Sequence, residues 1–217
     1  MAESEQLLSA LTTEHFTLQG ARQQTMSESS ARASVFVFSI SSALVALGFI
    51  GQRSELGDAF YVFALTVLPT IYLLGCTTFV RLVECGAEDF RYGLAINRIR
   101  HYYKDVAGER ADLFLLSGHD DGVGVFENMG LSAENRSPLF AFSTAVAVID
   151  GVVGGAAAAL AAGWLLDFSL GLATALGAVT ALASVMAWLR YAARLLERGA
   201  EVEPLFPTPA AARGRGD

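Results

Sequence analysis

Uncharged stretches constrain this chain more than any other feature. Asp, Glu, Lys and Arg are absent from residues 33–52, 59–80, 137–149, 151–166 and 168–189. A bilayer core of ~30 Å takes ~20 helical residues at ~1.5 Å each. Three of the runs are each about one crossing long, and the two that flank Asp150 join into a fourth. Lipid offers the backbone no hydrogen-bond partners, so segments of this kind must be helical. The expected fold is therefore all-α: four transmembrane helices arranged as two hairpins, with a small helical insertion between spans two and three. The segments follow as an amphipathic N-terminal helix at 1–32, hairpin one at 33–80, a helical cytoplasmic segment at 81–137, hairpin two at 138–190, and a largely disordered tail at 191–217.

Composition supports that choice. Charged residues make up 17% of the 217, against ~25% in ordinary soluble domains, and the mean hydropathy is +0.44. A soluble enzyme or a large catalytic domain is thereby excluded. The net charge of -7 speaks against a nucleic-acid partner, which needs a concentrated basic footprint. Two cysteines, Cys76 and Cys85, make no disulfide framework and fit a reducing compartment. The opening residues MAESEQ are acidic, and no signal peptide is expected.

Positive residues set orientation when they sit in short flanking segments. Of the 15 Lys and Arg, Arg53 alone lies between spans one and two, and none lies between spans three and four. The others precede span one, fall between spans two and three, or follow span four. Both termini and the central segment are expected on the cytoplasmic side, with the protein in the cell inner (cytoplasmic) membrane.

Helical spacing of Leu7, Leu8, Leu11, His15 and Leu18 predicts an amphipathic helix before span one. Residues 81–107 are expected to continue span two as a helix with two apolar faces, one of Val83, Ala87, Phe90, Leu94 and His101, the other of Tyr92, Ile96, Ile99, Tyr103 and Val106. Arg98, Arg100 and Lys104 on that helix are candidate contacts for an anionic lipid headgroup or a phosphorylated small ligand, set against ordinary salt bridges; Arg100 and Lys104 fall beside Asp89. His119, Asp120, Asp121 and Glu127 have the spacing of neither a calcium loop nor a zinc site, and Asp120 or Asp121 is expected to cap a helix that Gly130 ends. No catalytic residue, cofactor site or metal site is expected.

Inside the spans, Gly151, Gly155, Ala159 and Gly163 recur every four residues, and Ala173, Gly177 and Ala181 repeat the theme. Small residues at this spacing let helix backbones approach, either within hairpin two or between subunits. Asp150 is the one residue of the Asp, Glu, Lys and Arg types well inside a span. It should face protein or water, be partnered, or stay protonated. Counting from a span start near Leu139 places Asp150 about 16 Å deep, level with Leu44, Pro69 and Ala178. Ser41 or Ser42, Thr70 and Thr180 are then its candidate partners, and Pro69 a hinge.

The strings EHFTLQGAR, AINRIRHYY and SGHDD resemble a group of uncharacterised bacterial four-span membrane proteins, a resemblance that covers most of the chain and implies no activity. In layout the chain also resembles the membrane effectors of bacterial nucleotide-signalled defence systems, though it carries no nucleotide-binding motif. The functional expectation is a non-enzymatic, self-associating multi-pass protein of the signalling, effector or pore type, its cytoplasmic segment serving as a sensing module. The alternative is a small ion- or proton-coupled transporter or channel that uses Asp150.

Overall fold

The computed structural model describes residues 2–53, 57–130, 138–199 and 202–209. Among these there is no strand. The elements are α1 (Ala2–Arg53), α2 (Asp58–Ala107), a 3-10 helix (Gly108–Leu113), α3 (Gly122–Asn128), α4 (Pro138–Leu165) and α5 (Leu170–Gly199). α1, α2, α4 and α5 are long and apolar enough to cross a membrane.

The chain divides into two compact units. The apolar unit holds residues 29–83 and 141–194, and the polar unit holds 1–28, 84–140 and 195–217. α1 and α2 each contribute to both. No break separates the expected N-terminal helix from span one: α1 is one helix from Ala2 to Arg53. It is continuous although serine and threonine hydroxyls along it bond back to carbonyls four residues earlier, as Thr12 does to Leu8 and Ser34 to Ser30, bonds that slightly weaken a helix.

In the apolar unit, α4 and α5 run antiparallel with their backbones nearly touching. A methyl group on Gly151 would meet Val185 and the carbonyl of Ala181, and one on Gly155 would stand 2.5 Å from the carbonyl of Gly177. Gly177 in turn faces Gly155 and the Ala159 methyl, while Gly163 faces Ala173. The stripe of small residues is thus occupied within the chain. Asp167, at φ 53°, takes the left-handed turn between these helices, a conformation that Asp tolerates better than most residues. α2 packs along α4 through Tyr61 stacked on Trp164 at 5.6 Å and Tyr72 over Gly154.

In the polar unit, both predicted faces of α2 are covered. Ala87 and Leu94 on one face and Ile96 and Ile99 on the other are buried, while Val106, near the end of the helix, is exposed. Toward the N-terminus of α1, Leu7 and Leu8 are exposed, and contact is made further along by Arg22, which grips buried Asp89 through two bonds of 2.6 and 3.0 Å. Asp89 therefore belongs to Arg22, in place of the Arg100 and Lys104 expected from helix spacing alone. Asp121 caps α3 by accepting from the Gly124 N–H at 2.9 Å, and Gly130 follows the helix at φ 71°.

Residues 202–209 depart from the disorder that their Pro-rich composition predicts. They lie on the loop before α3, with the N–H groups of Leu205 and Phe206 donating to Asp120 and that of Thr208 donating to Asp121. Of the rest of the tail expected to be disordered, 191–199 is instead helical as the end of α5, and 200–201 and 210–217 lie outside the described residues.

Candidate functional site

Among the described residues two aspartates are fully buried, each with 0% of its surface exposed: Asp150 in the apolar unit and Asp120 in the polar unit. Burying a neutral polar group costs roughly 2–7 kcal/mol, and burying an ionised carboxylate far more, unless hydrogen bonds or a counter-charge replace its water. The two residues meet that cost very differently.

Asp150 projects from α4 toward α2. Its Oδ2 accepts from the Cys76 thiol at 3.6 Å, a long bond from a weak donor. Its Oδ1 has no hydrogen-bond partner among the described residues. That oxygen lies against the α carbon of Gly75, where an added methyl would collide with both the Asp150 carboxyl and the Phe36 ring. Glycine is required here because a carboxyl oxygen and a backbone share the space. The Trp188 indole lies beside the same carboxyl with its N–H short of hydrogen-bond geometry. One turn from Cys76, the Tyr72 hydroxyl and the Ser184 hydroxyl bond to each other at 2.8 Å, and Phe79 packs on Trp188 at 5.0 Å.

The expected partners of Asp150 lie elsewhere. Ser41, Ser42, Thr70 and Thr180 each return their hydroxyl to a carbonyl four residues earlier on their own helix. Pro69 is exposed and six residues from Gly75, about 9 Å along α2, so the proline and the acid do not share a level. The level of Asp150 is marked by Phe36 and Gly75 and, on α5, by Val185, which meets neighbouring Gly151, and by Trp188. Counting failed because the uncharged run before Asp150 is not in register with the others: the acid lies six to eight residues nearer the charged ends of α1, α2 and α5 than the count placed it.

Sequence reasoning also missed Tyr72, Gly75, Cys76 and Phe79, although a signal was present. They fall at i, i+3, i+4 and i+7, on one face of α2, and Ser184 and Trp188 repeat the four-residue spacing on α5. Together these faces gather a phenol, a thiol, a hydroxyl and an indole around the acid.

Asp120 is saturated by contrast. Its Oδ2 receives Arg98 Nε at 2.6 Å and the Leu205 N–H at 3.0 Å, and its Oδ1 receives the Phe206 N–H at 2.7 Å. Burial pushes this carboxyl up, but the Phe206 N–H, the Arg98 guanidinium and the Leu205 N–H outweigh it and hold the group below the usual carboxylate range. Of the three candidate anion contacts, Arg98 is thus committed to Asp120 and to the Glu203 carbonyl. Arg100 bonds to Asn97 Oδ1 at 2.7 Å and to the Ser117 carbonyl at 3.1 Å, within a network that Asn128 completes. Burial and the Arg22 charge push the Arg100 guanidinium down. Lys104 is half-buried on the same helix. Among the described residues, no three of His, Cys, Asp and Glu gather as a metal-binding group.

The chain matches no family model, and neither the curated proteins nor the solved structures contain a match to it.

Proposed function

We propose that this is a small, non-enzymatic multi-pass membrane protein in which Asp150 takes up and releases a proton as the helices around it change conformation. It rests on one observation: a carboxyl wholly buried among membrane-length helices, with one oxygen unpartnered among the described residues and the other held by a thiol. A structural role calls for satisfied bonds, and Asp150 lacks them. A calcium or magnesium ion would call for several oxygen ligands and a zinc ion for at least three Cys, His or carboxylate ligands, and among the described residues no such group of His, Cys, Asp and Glu gathers. A proton needs only the carboxylate.

In this reading the four spans form two hairpins in the inner membrane. Fourteen of the 15 basic residues, the termini and the insertion at 81–137 face the cytoplasm. A cysteine placed at Ser117 then escapes an impermeant reagent in intact cells, while one at Ser54 is labelled.

The deciding experiment is proton flux in proteoliposomes under an imposed pH gradient. Wild-type protein is expected to dissipate the gradient, and Asp150→Asn, which keeps the shape but cannot ionise, is expected to fold and to carry no flux. A wild-type protein that leaves the gradient intact, or an Asp150→Asn protein that conducts like wild type, defeats the proposal.

A second reading, a self-associating assembly of the signalling, effector or pore type, draws support from the outer helices. The most apolar stretches of α1 and α5 are 17% buried, against 39% for α4, which leaves wide apolar faces for lipid or a second copy. The particle mass in nanodiscs separates a monomer from an oligomer.

A further inference from the structure

We infer that the loop carrying Asp120 and Asp121 is a binding site for an extended, proline-punctuated peptide, and that the chain's own residues 203–208 are its resident, exchangeable ligand. The recognition is by main chain. Pro204 and Pro207 have no N–H, and each of the three amides available between Leu205 and Thr208 is taken by a carboxylate: Leu205 and Phe206 by Asp120, and Thr208 by Asp121. In return the Phe206 carbonyl accepts from the Asp120 N–H at 3.2 Å, and the Glu203 carbonyl accepts from Arg98 at 3.2 Å.

Two side chains fix the register. The Phe206 ring stacks on the His101 imidazole with centroids 3.8 Å apart and planes 13° from parallel. The Thr208 hydroxyl donates to Asp121 Oδ1 at 2.8 Å and is buried. A segment with its prolines displaced by one residue would leave an Asp120 oxygen facing a ring nitrogen that has no proton. The site therefore selects an aromatic residue preceded by an amide-bearing residue and followed by Pro-Thr.

Exchange follows from what the segment fails to bury. Val202 and Leu205 are exposed, so the attachment is one stacked ring and a set of polar bonds, with no apolar anchor. Elements with few buried apolar contacts are those that open most readily. When the segment lifts, wholly buried Asp120 loses two of its three donors and Asp121 loses two donors from Thr208. Amide bonds to an ionised carboxylate are stronger than those between neutral groups, so the emptied site binds another peptide with the same amide pattern.

The test uses the full chain in detergent or nanodiscs and a fluorescent synthetic peptide of residues 202–209. In wild type, amide hydrogen exchange at Leu205, Phe206 and Thr208 is expected to be slowed at least about tenfold relative to the free peptide. Wild type should bind the added peptide weakly, because its own segment competes at the high effective concentration of a tethered ligand. A Phe206→Ala/Thr208→Glu chain, which loses the stack and sets a carboxylate against Asp121, should bind the peptide roughly tenfold tighter or better. Adding Asp120→Asn to that chain, or replacing the phenylalanine of the peptide with alanine, should abolish the gain. Free exchange of the three amides in wild type would show that the segment is not seated. Equal peptide affinity of the wild-type and released chains, with unchanged helicity, would show that the site accepts no second peptide. Either result overturns the inference.

Discussion

Asp150 and Asp120 are equally buried and oppositely equipped. In the polar unit, Asp120 has a guanidinium and two main-chain amides, so its negative charge is stabilised and the loop around it is tied to a peptide segment. In the apolar unit, Asp150 has a thiol on one oxygen and a glycine α carbon against the other. The contrast shows that depth of burial alone does not assign a role to an acid. The donors that meet it do, because they decide whether the charged form is held in place or free to be lost. On this criterion Asp120 is held by three donors, whereas Asp150 has one weak donor among the described residues.

The largest effect is expected where neither acid takes part. Gly155→Ile drives a branched side chain into the Gly177 carbonyl and the Ala181 methyl. It should cost about 3 kcal/mol or more, the upper range for overpacking between rigid partners. Thermal unfolding in detergent measures it. An unchanged midpoint would mean that α4 and α5 do not pack through this stripe.

Next in size is the pair of variants that tests the comparison directly. Asp120→Asn should lower stability by about 1–3 kcal/mol, since it takes the charge from the Arg98 contact and turns one of the accepting oxygens into a donor. Asp150→Asn should change stability by less than about 1 kcal/mol, having only a thiol bond to lose. Equal losses at the two positions would erase the distinction. The acid limb sharpens it. Because the folded Asp120 carboxyl sits below its ordinary 3.8, its contribution is complete above that value and drains away as pH falls through the lower folded value. Asp120→Asn should therefore flatten the decline in stability below about pH 4.

Gly75→Ala comes third. Its methyl meets the Asp150 carboxyl and the Phe36 ring, for an expected cost of about 1–3 kcal/mol. Combining it with Asp150→Ser, which shortens the opposing side chain, should recover most of that cost in a double-mutant comparison. Additive losses would mean that residue 75 and the carboxyl do not touch.

The smallest effect belongs to His15. Burial, and then the Arg100 charge, hold its imidazole below the ordinary 6.5. A depressed imidazole contributes stability that is full above that value and is lost as pH falls through the folded one. Proteolysis near the start of α1 should accelerate modestly between pH 7 and pH 5, and His15→Gln should remove the pH dependence. Acceleration of the same size in His15→Gln would assign the effect to another group.

Much of the architecture was written along the chain. Uncharged runs of bilayer length force helices, because no other local structure satisfies its own backbone in an apolar medium, and four helices of that kind are present. The four-residue repeat of Gly151, Gly155, Ala159 and Gly163 marked a face for close approach, since 3.6 residues per turn brings such positions together whatever lies opposite. The existence of a costly acid at position 150 was equally plain.

Tertiary structure alone decided what meets that acid and what holds the other one. Facing residues depend on how far one helix slides along its neighbour, a distance fixed by many side-chain contacts at once and absent from any spacing within one helix. That slide puts Gly75 and Cys76, rather than Pro69 and Thr70, opposite Asp150. The seat of residues 203–208 is likewise a long-range matter: its acceptors lie some eighty residues earlier in the chain. Composition predicts that a Pro-rich stretch builds no core of its own, and that holds here, because the segment is ordered by carboxylates from another part of the fold.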